Sequence, residues 1–180
     1  MSNPLVSFII PYYNAGNTIQ ETIDSIFNQS YPHFDVWIVN DGSTDSLSIE
    51  KLKDFEGNNR IHILQQENAG PSVARNKAIS QTAAEFIVPI DADDVMEPRI
   101  LEEAISHMEE NPKVGVVYGD LQYFEDSHET RMQEAFSLER QWLMNQVAVT
   151  ALIRRDVFNE CGGYDEHLSP LGLEDWECVS

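Results

Sequence analysis

Three carboxylates in four residues, Asp91-Ala92-Asp93-Asp94, directly follow the apolar run Phe86 to Ile90. Magnesium and manganese take oxygen ligands and keep coordination positions for water and phosphate. If the strand continues through Asp91, its two-residue repeat puts Asp91 and Asp93 on one side and Ala92 on the other. Carboxylates so spaced can hold a divalent cation and a ribose together. The plainer alternative is an acidic helix cap ahead of Pro98. For Asp94, which the alternation does not aim at that side, capping remains the simpler role.

Other polar clusters carry complementary chemistry. In Asn40-Asp41-Gly42-Ser43-Thr44-Asp45 the glycine permits a tight turn, and a carboxylate at a strand end can accept a base N–H. Ser43 or Asp45 can cap the helix that follows, leaving Asp41 for a ligand. Asn68-Ala69-Gly70-Pro71-Ser72-Val73-Ala74-Arg75-Asn76 sets a glycine loop at a helix start. Arg75, one turn in, either offsets diphosphate charge or pairs with one of the aspartates. Glu174-Asp175 offers a carboxylate that could serve as a general base, although spacing alone says little. The five histidines and the two cysteines, Cys161 and Cys178, show no metal-ligand spacing. The cysteines read as reduced thiols.

These clusters need a scaffold that brings them to one edge. Leu5 to Tyr13, Phe34 to Asn40, Ile61 to Gln66, Phe86 to Ile90 and Val114 to Tyr118 are short apolar runs that read as buried strands. Between them lie helical patterns at Asn17 to Gln29, Leu47 to Phe55 and Ser72 to Ala83, then one after Pro98 with Leu101, Ala104, Ile105 and Met108 on its apolar face. Thr18 and Glu21 have capping-box spacing at the first helix. The alternation implies a mostly parallel sheet covered by helices on both faces. Such sheets bind ligands beyond the C-terminal ends of their strands. Tyr12-Tyr13-Asn14, Asn40 to Ser43, Glu67 to Gly70 and Asp91 to Asp94 all follow strands, so four loops converge there. Beyond about residue 125 the regularity fades: Glu125 to Glu134 reads as a loop, Val147 to Ile153 as a further strand, and Cys161 to Glu166 as a glycine turn.

A length of 180 residues suits one domain. The net charge of −20 argues against a nucleic-acid surface. A chain this acidic needs a cation or helix N-termini to hold a diphosphate. No apolar run reaches the ~18 residues of a membrane span, and Met1-Ser2-Asn3-Pro4 has no signal-peptide pattern. The dinucleotide fingerprint and the P-loop are both absent. Nucleotidyltransferases open with a glycine- and arginine-rich loop after strand one, whereas Pro11-Tyr12-Tyr13-Asn14-Ala15-Gly16 holds no basic residue.

As an ordered set, Ile10-Pro11-Tyr12-Tyr13-Asn14, Asn40 to Asp45, Asn68-Ala69-Gly70 with Ala74-Arg75-Asn76, Asp91 to Asp94, Gly162-Gly163-Tyr164-Asp165-Glu166 and Glu174-Asp175 resemble bacterial family 2 glycosyltransferases of the GT-A fold. The resemblance implies a single GT-A domain over residues 1–180. Residues 1–95 would be its nucleotide-binding half and 96–180 the start of an incomplete acceptor-side half. Family members often carry a Q-x-x-R-W-like segment after the Glu-Asp motif, and Ser180 precedes any such segment, so the resemblance implies C-terminal truncation. It implies an inverting transferase moving sugar from a nucleotide-sugar, UDP-sugar favoured, to a glycan or lipid-linked acceptor in cell-surface polysaccharide synthesis. Pro11, Tyr13 and Asp41 would line the base pocket, with Asn68, Gly70 and Arg75 at the nucleotide. Asp91 would contact ribose, Asp93 would bind Mn2+ or Mg2+, and Asp175 would be the catalytic base. The expected setting is cytoplasmic, with the inner membrane face as a site for the full-length protein. A nucleotide-holding module without turnover stays open as the alternative.

Overall fold

The computed structural model describes residues 5–124, 130–132, 136–137, 147 and 149–167. The first half alternates β1 (Val6–Tyr12), α1 (Ile19–Phe27), β2 (Phe34–Asp41), α2 (Ser46–Lys51), β3 (Ile61–Gln66), α3 (Pro71–Gln81) and β4 (Phe86–Pro89). Then come α4 (Ile100–Glu110), β5 (Val116–Tyr118), a small hairpin of β6 (Leu121–Gln122) and β7 (Thr130–Arg131), β8 (Ala151–Arg154) and α5 (Arg155–Glu160). A 3-10 turn, Leu52–Phe55, prolongs α2, where the sequence pattern suggests one continuous helix.

The main sheet has the order β3-β2-β1-β4-β8-β5. The first four strands are parallel, which matches the expected α/β architecture. β8 enters antiparallel to both β4 and β5. Parallel strands need both faces covered, which explains their unbroken apolar runs. On one face Phe8, Ile10 and Tyr12 pack with Ile19, Ile23 and Ile26 of α1 and Leu101, Ile105 and Met108 of α4. On the other, Ile9 and Val39 meet Ala74, Ala78 and Ile79 of α3, with Phe158 of α5. Each such side chain, fully buried, contributes roughly 1.5–3 kcal/mol of transfer free energy. The sheet is therefore the rigid base from which the polar loops project.

Several sequence expectations need correction. Thr18 does stand at the N-cap of α1, but its hydroxyl donates to the Ala15 carbonyl instead of capping the helix, so no capping box forms. None of the three aspartates of the acidic run caps α4. Gln29 does so from α1's end: its Oε1 accepts the Leu101 N–H at 3.2 Å, and its Nε2 donates to the Glu97 carbonyl at 2.8 Å. The strand expected from Val147 begins at Ala151. Thr130–Arg131, expected in a loop, pairs with Leu121–Gln122. Cys161 to Glu166 is a turn as expected, with Gly162 and Gly163 at positive φ.

Candidate functional site

The strand ends deliver the expected residues to one place. A cavity of about 480 Å³ at the C-terminal edge of the parallel strands is lined by Pro11, Tyr13, Asp41, Asp91 and Asp93, with Asn14 and Pro71 in its wall. Pro11 lies within β1, Asp41 ends β2, and the acidic run follows β4. Tyr12 is fully buried, and its hydroxyl donates to the Ser48 carbonyl. Its neighbour Tyr13 is 48% exposed and offers a free aromatic face at the cavity. Both tyrosines border the cavity, but only Tyr13 is exposed.

The acidic run is sorted by a turn and not by strand pleating. β4 ends at Pro89, and the Asp94 N–H donates to the Asp91 carbonyl at 3.1 Å. Ala92 is buried in the core and only touches the cavity edge, while Asp91 and Asp93 bring their carboxylates to its lining. Asp91 and Asp93 share a side as expected, but the strict alternation does not hold, since Ala92 borders the same cavity. Asp94 turns the other way. It faces a second, larger cavity of about 670 Å³ bounded by Leu101 of α4, Val117 of β5 and Leu152 of β8. There Thr150 Oγ1 donates to Asp94 Oδ2 at 3.5 Å. Burial pushes the Asp94 carboxyl up to about 6, helped by the neighbouring charges of Asp91 and Asp93.

Arg75 takes the second of its two expected roles. It is 2% exposed, and its Nη2 donates to Asp91 Oδ1 at 2.7 Å. It lines no part of the smaller cavity. Its guanidinium also lies 5.3 Å from the Tyr164 ring centroid. Asn76, the next residue along α3, holds the glycine turn: its Oδ1 accepts the Tyr164 N–H, and its Nδ2 donates to the Tyr164 carbonyl. One helix turn therefore anchors both the acidic loop and the Gly162-Gly163-Tyr164 segment.

Asp41 does structural work beside its place in the cavity wall. It is 4% exposed. Its Oδ1 accepts from Gln66 Nε2 and the Ala69 N–H, both at 2.8 Å, and its Oδ2 accepts the Gly70 N–H at 2.9 Å. Four lone-pair positions minus three bonds leave one for a ligand donor. Gly42 is required here. It has φ of +73°, and a Cβ would approach the Asn68 nitrogen to 2.9 Å. Asn68 and Gly70 thus sit in the loop behind Asp41, outside the cavity lining. Asp45 caps α2, with Oδ1 accepting the Ser48 N–H at 2.8 Å. Asp175 and Glu174 lie outside the described residues.

Among the described residues, no group of three His, Cys, Asp or Glu side chains is arranged to hold a metal. Two carboxylates on a cavity wall are nonetheless the donor set that Mg2+ or Mn2+ uses when phosphate and water complete the shell. Asp93 is exposed, and no ion pair to it is seen among the described contacts, so it fits that role better than Asp91.

Residues 7–165 match the model of the family described as Glycosyl transferase family 2. The chain belongs to that family. It is 39% identical over 109 residues to the putative teichuronic acid biosynthesis glycosyltransferase TuaG of Bacillus subtilis, covering 59% of this chain and 43% of that protein. It is 38% identical over 116 residues to the chondroitin synthase of Pasteurella multocida, covering 64% of this chain and 12% of the synthase. The chain therefore spans less than half the length of these relatives. Among solved structures, S. aureus TarS 1–349 superposes with a TM-score of 0.76 at 23% identity, covering 95% of this chain and 52% of that one. The same TarS fragment in complex with UDP superposes with a TM-score of 0.76 at 21% identity, covering 97% and 54%. The mannosyltransferase PcManGT from Pyrobaculum calidifontis, in complex with GDP-Man and Mn2+, gives 0.72 at 21% identity, covering 99% and 52%. These likenesses establish the GT-A fold of the family 2 chain. Among the described residues no helix is long and apolar enough to cross a membrane.

Proposed function

We propose that this family 2 chain is the donor-binding part of a metal-dependent inverting glycosyltransferase. It would move a sugar from a nucleotide-sugar, UDP-sugar favoured, to a glycan or lipid-linked acceptor hydroxyl in polysaccharide assembly. The observation that carries this reading is the gathering of Pro11, Tyr13, Asp41, Asp91 and Asp93 around one cavity of about 480 Å³. That volume is in the range of small-ligand sites. The UDP and UDP-GlcNAc complexes of TarS and the GDP-Man and Mn2+ complex of PcManGT support it by likeness of fold.

Each residue has a role its surroundings favour. Tyr13 stacks against the base, Pro11 shapes the wall, and the free acceptor position of Asp41 takes a base N–H. Asn68 and Gly70 act from behind, through the loop held by Asp41. Asp91 accepts a ribose hydroxyl with the oxygen that Arg75 leaves open, so Arg75 serves the nucleotide by fixing Asp91. Asp93 would hold Mn2+ or Mg2+. A cation bound there would offset the negative charge that develops on the departing diphosphate. Pro71 opens α3 at the cavity wall, which adds a helix N-terminus to the diphosphate side. Asp175 is the proposed general base. It takes the acceptor proton as the acceptor oxygen bonds to the anomeric carbon, and the bond from that carbon to the diphosphate oxygen breaks with inversion.

The test is thermal melting with UDP, GDP or ADP, each with and without Mn2+ or Mg2+. Ligand at a hundredfold excess over Kd adds about 2.7 kcal/mol, a rise of roughly 5–10 °C for a domain of this size. UDP with Mn2+ is expected to give that rise and Asp93→Ala to abolish it. The reading fails if no nucleoside diphosphate produces a metal-dependent shift.

A further inference from the structure

Asn14 lines the cavity but has no part in the roles above, and it is tied by four hydrogen bonds to the loop after β2. Its φ is +52°, the one positive value at a non-glycine position among the described residues. Its backbone N–H donates to Ser43 Oγ at 3.0 Å. Its side-chain Oδ1 accepts the Thr44 N–H at 2.8 Å and the Asp45 N–H at 3.3 Å, while its Nδ2 donates to Thr44 Oγ1 at 3.3 Å. All four bonds run from the loop after β1 to the loop after β2.

Those loops carry the two sides of the proposed base pocket. Tyr13 precedes Asn14, and Asp41 stands two residues before Ser43. The far loop is itself fixed beyond the tie. The Ser43 N–H donates to Asn40 Oδ1 at 3.0 Å, and Asp45 caps α2. Tyr13 rests on no strand neighbour, because β1 ends at Tyr12. Beyond the strand pairing, the Asn14 tie is what joins the loop that carries Tyr13 to the loop that follows Asp41 among the described contacts. Asparagine suits the position on two counts. It tolerates the left-handed region better than other residues with a Cβ, and its amide both donates and accepts.

We propose that Asn14 is a positioning residue for nucleobase recognition, holding Tyr13 at the distance from Asp41 that a base requires. This inference rests on the nucleotide-sugar reading above. Preorganisation of this kind shows in the base-dependent part of the affinity. A purely structural residue would weaken every ligand alike.

Calorimetric titration of the 180-residue chain with UDP plus Mn2+, and separately with inorganic pyrophosphate plus Mn2+, separates the two. Asn14→Gly keeps the positive φ and removes the three side-chain bonds. It is expected to weaken UDP by about tenfold while pyrophosphate changes by less than about twofold. Asn14→Asp keeps the acceptor for the Thr44 and Asp45 N–H groups and is expected to recover at least half of the lost UDP affinity on a logarithmic scale. If Asn14→Gly does not fold, Ser43→Ala with Thr44→Val removes the two bonds that end on side-chain oxygens of the other loop and leaves the Thr44 and Asp45 N–H bonds to Asn14 Oδ1, so a smaller loss of UDP affinity is expected, again with pyrophosphate changed less. Equal losses for UDP and pyrophosphate, or a UDP affinity unchanged in the variants, would overturn the inference and leave the nucleotide reading standing. Failure of the unaltered chain to bind UDP, GDP or ADP would overturn both.

Discussion

The two cavities beside the acidic turn are built on opposite principles. The smaller is lined by residues at strand ends that are held from behind by hydrogen bonds: Asn14 to Ser43 and Thr44, Asp41 to Ala69 and Gly70, and Asp91 to Arg75 of α3. The larger is walled by helix α4 and by the strands β5 and β8, with Leu101, Val117 and Leu152 presenting apolar surface. The turn Asp91 to Asp94 divides them, with Asp91 and Asp93 on the polar side and Asp94 on the apolar side. One short acidic run therefore meets two environments. Asp91 has an arginine partner, whereas Asp94, turned into an apolar wall, is pushed toward its neutral form. Chemistry here depends on which side of the turn a residue takes, more than on its being acidic.

The largest effect expected from this contrast is on the polar side. Arg75 is almost fully buried, and Asp91 is 38% exposed. Removing one member of a buried pair costs about 3–5 kcal/mol, and the partial exposure of Asp91 reduces this to roughly 2–4 kcal/mol for Arg75→Ala. Arg75→Met, which keeps much of the apolar packing, is expected to cost less. Urea unfolding of both variants checks the order, and equal stability of Arg75→Ala and the parent chain would show that the pair does not hold the turn.

On the apolar side the sign reverses. The Asp94 carboxyl titrates at about 6 in the fold against an ordinary 3.8, chiefly through burial. Between about pH 4 and pH 6 the folded chain therefore binds more protons at this site than the unfolded chain, so this contribution to stability falls as pH rises through that window. Above it, ionised Asp94 is a net cost of about 1–2 kcal/mol after allowance for its partial exposure to solvent. In EDTA at pH 7.5, Asp94→Asn is expected to raise Tm by roughly 2–6 °C, with a much smaller rise at pH 4.5. Asp91→Asn, which breaks the bond to Arg75, is expected to lower it. Two aspartates three residues apart would then shift stability in opposite directions. A fall in Tm with Asp94→Asn at pH 7.5 would break the comparison.

The same contrast explains what could be read from residue order. β3 was legible to its limits, Ile61 to Gln66, although it is an edge strand with only Ile61 buried, because Ile61, Ile63 and Leu64 are bounded by polar turns on both sides. The polar cavity was legible because strand-end loops in a parallel sheet share an edge, whatever their internal bonding. The apolar cavity was not. It depends on β8 entering antiparallel between β4 and β5, and pairing across more than thirty residues of chain leaves no local pattern. Gln29, which caps α4 across 72 residues, is hidden for the same reason. Asn14 left a fainter trace: an asparagine just after a strand, ahead of Ala15-Gly16, is a candidate for the left-handed region. Nothing in the order of residues says that its amide spans two loops.

The smallest expected effect concerns Asp45, the far anchor of the Asn14 tie. Its carboxyl is held below the usual range, first by the Ser48 N–H and then by the Ser48 hydroxyl. A group with a lowered pKa contributes stability above its unfolded value, and loses it as pH falls through the folded one. Asparagine keeps the cap acceptor and removes the titration. Asp45→Asn is therefore expected to melt within about 1–2 °C of the parent chain at pH 7, and to lose less Tm than the parent between pH 5 and roughly pH 3. Parallel melting curves on that acid limb would mean that the cap acts through geometry alone. The loop opposite Tyr13 would then be held by hydrogen bonds whose strength does not depend on charge, and the Asn14 tie would keep its footing even in acid.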